Sequence, residues 1–194
     1  MSLVRTKPLE RCASPLEALS ELCAGFVGAD ALSFDCEEVS AEDLPYPFGR
    51  LLAHQQHMTR VLVAHYHSPL DLRVHEQHQV GNLYSRKITL ALAQTGATVE
   101  YGLVRLDLSY MPPPVRRAIL QERAPLGAIM IGHNIMRHIR PRWYLRFPAG
   151  SQMLEWFEAD CSRALYGRLG TIFCDGEPAV EVLEIVTGID KEKQ

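Results

Sequence analysis

Leu83-Tyr-Ser-Arg-Lys-Ile-Thr-Leu-Ala-Leu92 is the stretch on which the fold of this chain turns. Alternation with period two sends Tyr84, Arg86, Ile88 and Leu90 to one side of a strand, and Ser85, Lys87 and Thr89 to the other. The first side reads as the core face and the second as the solvent face. Lys87 then sits among polar neighbours, where a charge belongs, whereas Arg86 sits among apolar ones. A guanidinium does not shed its proton, so in such surroundings it needs a carboxylate partner or an anionic ligand.

Outward from that strand, Gln94-Thr-Gly96 is a short hairpin turn and Ala97 to Leu108 reads as the returning strand. Upstream, Arg60 to Tyr66 and Leu72 to Val80 also read as strands, and Trp143 to Phe147 as a further one. A second hairpin runs from Leu165 to Cys174, turns at Asp175-Gly176 and returns through Ala179 to Thr187. The two hairpins rhyme. Leu83-Tyr-Ser-Arg86 and Leu165-Tyr-Gly-Arg168 each open a strand that turns at glycine and comes back on a Val-Glu strand.

Helical spacing appears from Pro15 to Phe26, with Ser14 as N-cap, and again from Gly49 to His57, Val115 to Arg123 and Gln152 to Cys161. Ala128 to His138 is apolar without a deciding period. Runs of adjacent strands with helices gathered elsewhere predict an α+β fold rather than βαβ units.

The last strand supplies a second misplaced charge. Val180, Val182, Glu184 and Val186 share a face, so Glu184 is an acid in a valine row. Three readings stay open: a structural Arg86–Glu184 pair, a Glu184 at an exposed edge, or two charges facing a ligand. Burial raises a carboxyl's pKa and a nearby cation lowers it.

The bulk numbers bound the function. At 194 residues, 47% hydrophobic and 22% charged, the chain is one globular domain. Residues 1–45 form an N-terminal helical segment, 46–188 the core and 189–194 a charged tail. A net charge of -3 gives no general attraction to nucleic acid or anionic membrane. No apolar run approaches a membrane span and the start has no signal core. The five cysteines, odd in number and without Cys-x-x-Cys, act as small hydrophobes in a reduced, cytoplasmic protein.

His65-x-His67 and His75-x-x-His78 are dense, but an i, i+3 pair on a strand points both ways unless the strand bulges, and no carboxylate or cysteine completes a set. No metal is expected. Nucleophile-elbow, phosphate-loop and dinucleotide motifs are missing.

Several stretches together resemble the chorismate lyase family (chorismate pyruvate-lyase, 4-hydroxybenzoate synthase). Leu83-Tyr-Ser-Arg86-Lys-Ile-Thr-Leu is similar to the family strand carrying its substrate-binding arginine. Ala124-Pro-Leu-Gly127 resembles the Pro-Leu-Gly turn of a flap over the ligand, and His57-Met-Thr-Arg60 a segment bordering the pocket. Leu165-Tyr-Gly-Arg-Leu169, Gly176-Glu-Pro178 and Leu183-Glu184 resemble the closing hairpin with its glutamate, Glu181 being the less favoured alternative. The resemblance covers roughly residues 50 to 188. Many members carry an arginine directly after the glycine of the second strand; here Leu103 follows Gly102, and the nearest arginine is Arg105.

The resemblance implies a single antiparallel sheet of about six strands, with helices on one side and flaps over an internal ligand pocket. It implies cofactor-free conversion of chorismate to 4-hydroxybenzoate and pyruvate, with a place in aromatic metabolism such as ubiquinone biosynthesis. Arg86 and Glu184 would be catalytic, and Met58, Thr59, Leu126 and Gly127 would bind substrate. The rival is a non-catalytic aromatic-carboxylate-binding domain, since related sheets serve as effector sensors of transcription regulators. The roughly 45 residues ahead of the core are fewer than a winged helix-turn-helix takes, which disfavours the sensor reading and leaves a stand-alone binder as its surviving form.

Overall fold

The computed structural model describes residues 7–24, 26, 35–157 and 163–188. Seven strands form one antiparallel sheet: β1 (Glu37–Val39), β2 (Leu70–Val80), β3 (Leu83–Leu92), β4 (Thr98–Asp107), β5 (Arg137–Phe147), β6 (Leu165–Cys174) and β7 (Glu177–Val186). Their spatial order is β1-β5-β6-β7-β4-β3-β2. The helices are α1 (Pro15–Cys23), α2 (Phe48–Leu52), α3 (Met58–Tyr66), α4 (Pro113–Leu120) and α5 (Leu126–Gly132), with short 3-10 turns at Leu9–Arg11, Leu108–Tyr110 and Gln152–Phe157. The α+β sheet is therefore as expected, with one strand more than the resemblance implies. No described helix is long and apolar enough to cross a membrane.

The two rhyming hairpins, β3–β4 and β6–β7, lie side by side because β4 pairs with β7. Leu103 faces Leu183 across that seam, and the hairpins flank it as near-symmetric halves. On one face, Ile88, Leu90, Val104, Leu106, Val180 and Val182 meet the apolar sides of α2 to α5.

The other face departs from the expected exposure. Ser85, Lys87 and Thr89 are buried, because the N-terminal segment, α1 and the 152–157 turn pack onto Tyr101, Leu103, Leu183 and Ile185. Lys87 keeps its charge there by pairing with Glu76 at 2.9 Å and lying over the Phe26 ring. Arg105 also faces this side, in a 2.6 Å pair with Glu181. That pair commits Glu181 to the face opposite Glu184.

Four local readings change. Arg60 to Tyr66 is helix α3, not strand: Met58, Leu62 and Tyr66 are buried at four-residue spacing while Val63 is exposed, so the helical period outweighs the β-branched content. Consequently His65 lies on a helix and His67 ends it in the left-handed region at φ 51°, so the two do not share a strand face. The second helix is shorter than expected, ending at Leu52, and residues 152–157 form a 3-10 turn. Ala128 to His138 divides, closing α5 at Gly132 and opening β5 at Arg137. Cys161 and the expected 189–194 tail lie outside the described residues.

Ser14 caps α1 by accepting from the Glu17 amide at 3.2 Å, as its position before Pro15 predicts.

Candidate functional site

Arg86, Glu184, Met58, Thr59, Leu126 and Gly127 all line one cavity, against the face of β3, β4 and β7. It measures about 50 Å³, the space of a few water centres. Ile88, Leu90, Val104, Ile172 and Val182 make its floor apolar, and His57, Pro125, Leu126 and Gly127 roof it. Gly127 is needed for close approach: a Cβ there would stand 3.2 Å from the His57 ring.

The structure brings Arg86 and Glu184 to the same cavity but does not pair them. Strand order is the reason. β7 lies between β4 and β6, so the cross-strand neighbours of Glu184 are Gly102 and Arg168. Arg168 donates from Nε to Glu184 Oε2 at 2.6 Å. Its Nη1 donates to the carbonyls of Leu52 at 2.9 Å and His54 at 2.8 Å. One arginine thus fixes the acid and the chain leading into Met58 and Thr59.

Arg86 has no such partner. The row of the sheet that passes through it reads Gln77, Arg86, Val104, Val182, Gly170, without an acid. The residue is 1% exposed, and its Nε and Nη1 have no hydrogen-bond partner within the protein. Burial lowers its pKa, while neighbouring Tyr84, Glu122 and Glu100 act in the opposite sense. Tyr84 donates to Glu122 at 2.6 Å, and its hydroxyl oxygen also lies against the Arg86 guanidinium, which sets the Glu122 carboxylate one group away from Arg86.

A third charged position had not been singled out. Glu100, on β4, lines the same cavity, is 4% exposed, and has Oε2 buried without a partner. Burial, and then the charge of Glu184, push its pKa well above the carboxylate range, against the pull of Arg168 and Arg86. Burial and the neighbouring Glu184 charge therefore favour the protonated form of Glu100. The signal was present in Thr98-Val-Glu-Tyr-Gly102, where alternation puts Glu100 on the face of Gly102 and Val104.

His57 is neutral as well. Burial, then the charges of Arg137 and Arg168, take its pKa down to about 4, and Arg137 Nε donates to its Nε2. The cavity thus presents one unpaired cation, Arg86, in a wall that is otherwise neutral or already paired.

Among the described residues, no three His, Cys, Asp or Glu side chains come close enough to hold a metal ion. β2 does bulge between Val74 and Glu76, the one condition under which His75 and His78 share a side. His75 instead bonds Thr89 Oγ1 at 2.8 Å and packs against Trp156. The described cysteines Cys12, Cys23, Cys36 and Cys174 are free thiols, and burial pushes Cys23 up to about 12.

No family model matches the chain, and no curated protein matches it. Solved structures with a similar strand arrangement include the effector domain of PhnF from Mycobacterium smegmatis, at 11% identity and TM-score 0.49, covering 69% of this chain and 89% of that one. A longer PhnF chain matches at 11% identity and TM-score 0.49, over 70% of this chain; the match spans 65% of that chain, under two thirds of its length. The ligand-binding domain of a GntR-family transcriptional regulator from Bordetella bronchiseptica matches at 10% identity and TM-score 0.44, over 61% of this chain and 85% of that one.

Proposed function

We propose that this chain binds a small ring carboxylate in the β3–β4–β7 cavity. The observation that carries the reading is Arg86, a buried guanidinium without a carboxylate on its row of the sheet. Its planar fork suits a bidentate bond to a ligand carboxylate, and in a dry pocket such a bond is far stronger than in water. The apolar floor takes the flat face of a ring, and Glu184 faces its far end. One unpaired cation matches one carboxylate, so hydroxybenzoate chemistry fits the charge count.

The second reading is the lyase. What favours it is that the residues named by the family resemblance enclose a single cavity. In that reaction the enolpyruvyl oxygen leaves ring C3 with its electron pair, ring C4 loses a proton, and the released enol becomes pyruvate. Arg86 would hold the ring carboxylate and Glu184 the 4-hydroxyl. Aromatisation drives the step, so the protein's part is orientation and exclusion of water. Chorismate carries a second carboxylate on its enolpyruvyl arm; the cations standing behind lining residues are Arg137, on His57, and Arg168, on Glu184.

The test is incubation of the purified protein with chorismate, with and without a chelator, following products by chromatography. Titration with 4-hydroxybenzoate runs alongside. Equal 4-hydroxybenzoate and pyruvate, unaffected by chelator, select the lyase. Saturable binding that Arg86→Met abolishes, without turnover, selects the binding protein. Neither turnover nor binding refutes both.

A further inference from the structure

Two acids share the far end of the cavity, and the preceding reading uses only one of them. Glu184 stands across from Gly102, while Glu100 stands two residues before Gly102 on the same face. Gly102 separates them without a side chain; a Cβ there would meet Ile88 at 3.1 Å and Glu100 Oε1 at 3.7 Å. From strand rise and spacing, the Cα of Arg86 lies ~12 Å from that of Glu184 and ~14 Å from that of Glu100. Arg86 and the two acids thus enter the cavity from opposite ends.

The two acids are held differently. Glu184 accepts from Arg168 and so presents a carboxylate, an acceptor only. Glu100 has an oxygen buried in the protein with no donor or acceptor to meet it. A ligand hydroxyl can satisfy both, donating its proton to one acid and accepting from the other.

We infer that Glu100 is the specificity-determining residue of the cavity, donating a hydrogen bond to the ligand hydroxyl whose own proton goes to Glu184. The inference rests on the reading that the cavity takes a ring carboxylate, and it narrows that class to ring acids bearing a hydroxyl opposite the carboxylate. The groups facing Glu100 agree with the role. Glu184 on β7 disfavours a second negative charge, Arg168 on β6 is already engaged with Glu184, and Arg86 on β3 is kept for the carboxylate. His57 on the roof is neutral. A ligand without the hydroxyl leaves two buried acids unanswered, which is how a polar pocket rejects an analogue lacking the matching group.

The experiment is calorimetric titration of the full chain with 4-hydroxybenzoate and with benzoate, near neutral pH. The wild type is expected to prefer the hydroxylated acid by on the order of 100-fold, from the loss of buried hydrogen bonds. Glu100→Met should cut that preference at least about tenfold while benzoate binds as well as before or better. Glu100→Gln, whose amide still donates, should keep most of it. An unchanged preference in Glu100→Met overturns the inference and leaves the ring-acid reading standing. If the wild type binds neither acid, the ring-acid reading falls and this inference with it.

Discussion

Removing the charge from Arg86 should make the ligand-free protein more stable. Arg86→Met keeps most of the unbranched stem that packs beside Ile88 and Val104 and deletes the guanidinium. In the wild type, Nε and Nη1 are buried without protein partners. Each unsatisfied buried donor costs about 1–3 kcal/mol. At the lower end of that range the two donors together give a gain of about 2 kcal/mol. For a chain of this size that raises Tm by about 4–8 °C. Thermal unfolding followed by circular dichroism reads the shift.

Ligand should reverse the order. At 100 times Kd, a ligand bound only by the native wild type adds about 2.7 kcal/mol, and the variant that has lost its anchor gains nothing. The wild type then melts above Arg86→Met. If the ligand-free variant melts at or below the wild type, Arg86 is structural and the anchor argument fails.

Arg168→Met should do the opposite. It strands Glu184 beside the cavity and frees the Leu52 and His54 carbonyls, costing about 3–5 kcal/mol in urea unfolding; a loss under about 1 kcal/mol would remove its structural role. His57 gives a pH signature: its pKa falls from 6.5 to about 4, so its contribution is fully present above 6.5 and is lost as pH falls through about 4. At about 1.4 kcal/mol per unit this amounts to about 3 kcal/mol, and His57→Gln should flatten that part of the stability–pH curve. Gly127→Ala would place a methyl 3.2 Å from the His57 ring; it should cost about 1–2 kcal/mol and weaken 4-hydroxybenzoate binding about tenfold, an effect that normal affinity would refute.

How much of this was legible depended on whether a feature is local. The face assignments of Arg86 and Glu184 follow from alternation within single strands, and both residues point into the cavity. Their pairing is not local. It depends on β7 lying between β4 and β6, which gives Glu184 to Arg168, and no face pattern specifies that order. Glu100 was readable by the same alternation that singled out Glu184. Helix α3 was misread because Val61 and Val63 favour a strand, whereas the spacing of Met58, Leu62 and Tyr66 fits a helix packing one stripe on the sheet. The burial of Ser85, Lys87 and Thr89 could not be seen in their own strand, since their cover comes from α1 and the 152–157 turn, far away in sequence.

The two hairpins also mark where the site can be closed from within. Arg168 has Glu184 directly across the strand pair, and Arg86 has Val104 in the matching place. Val104→Glu would copy the acid of one half into the other, giving Arg86 a permanent internal counter-ion where the proposed ligand's carboxylate would sit. A sheet built from two like halves thus keeps one arginine in the role of a fastening and the other in that of a cation with no acid on its own row. The difference between those roles is a single aliphatic side chain.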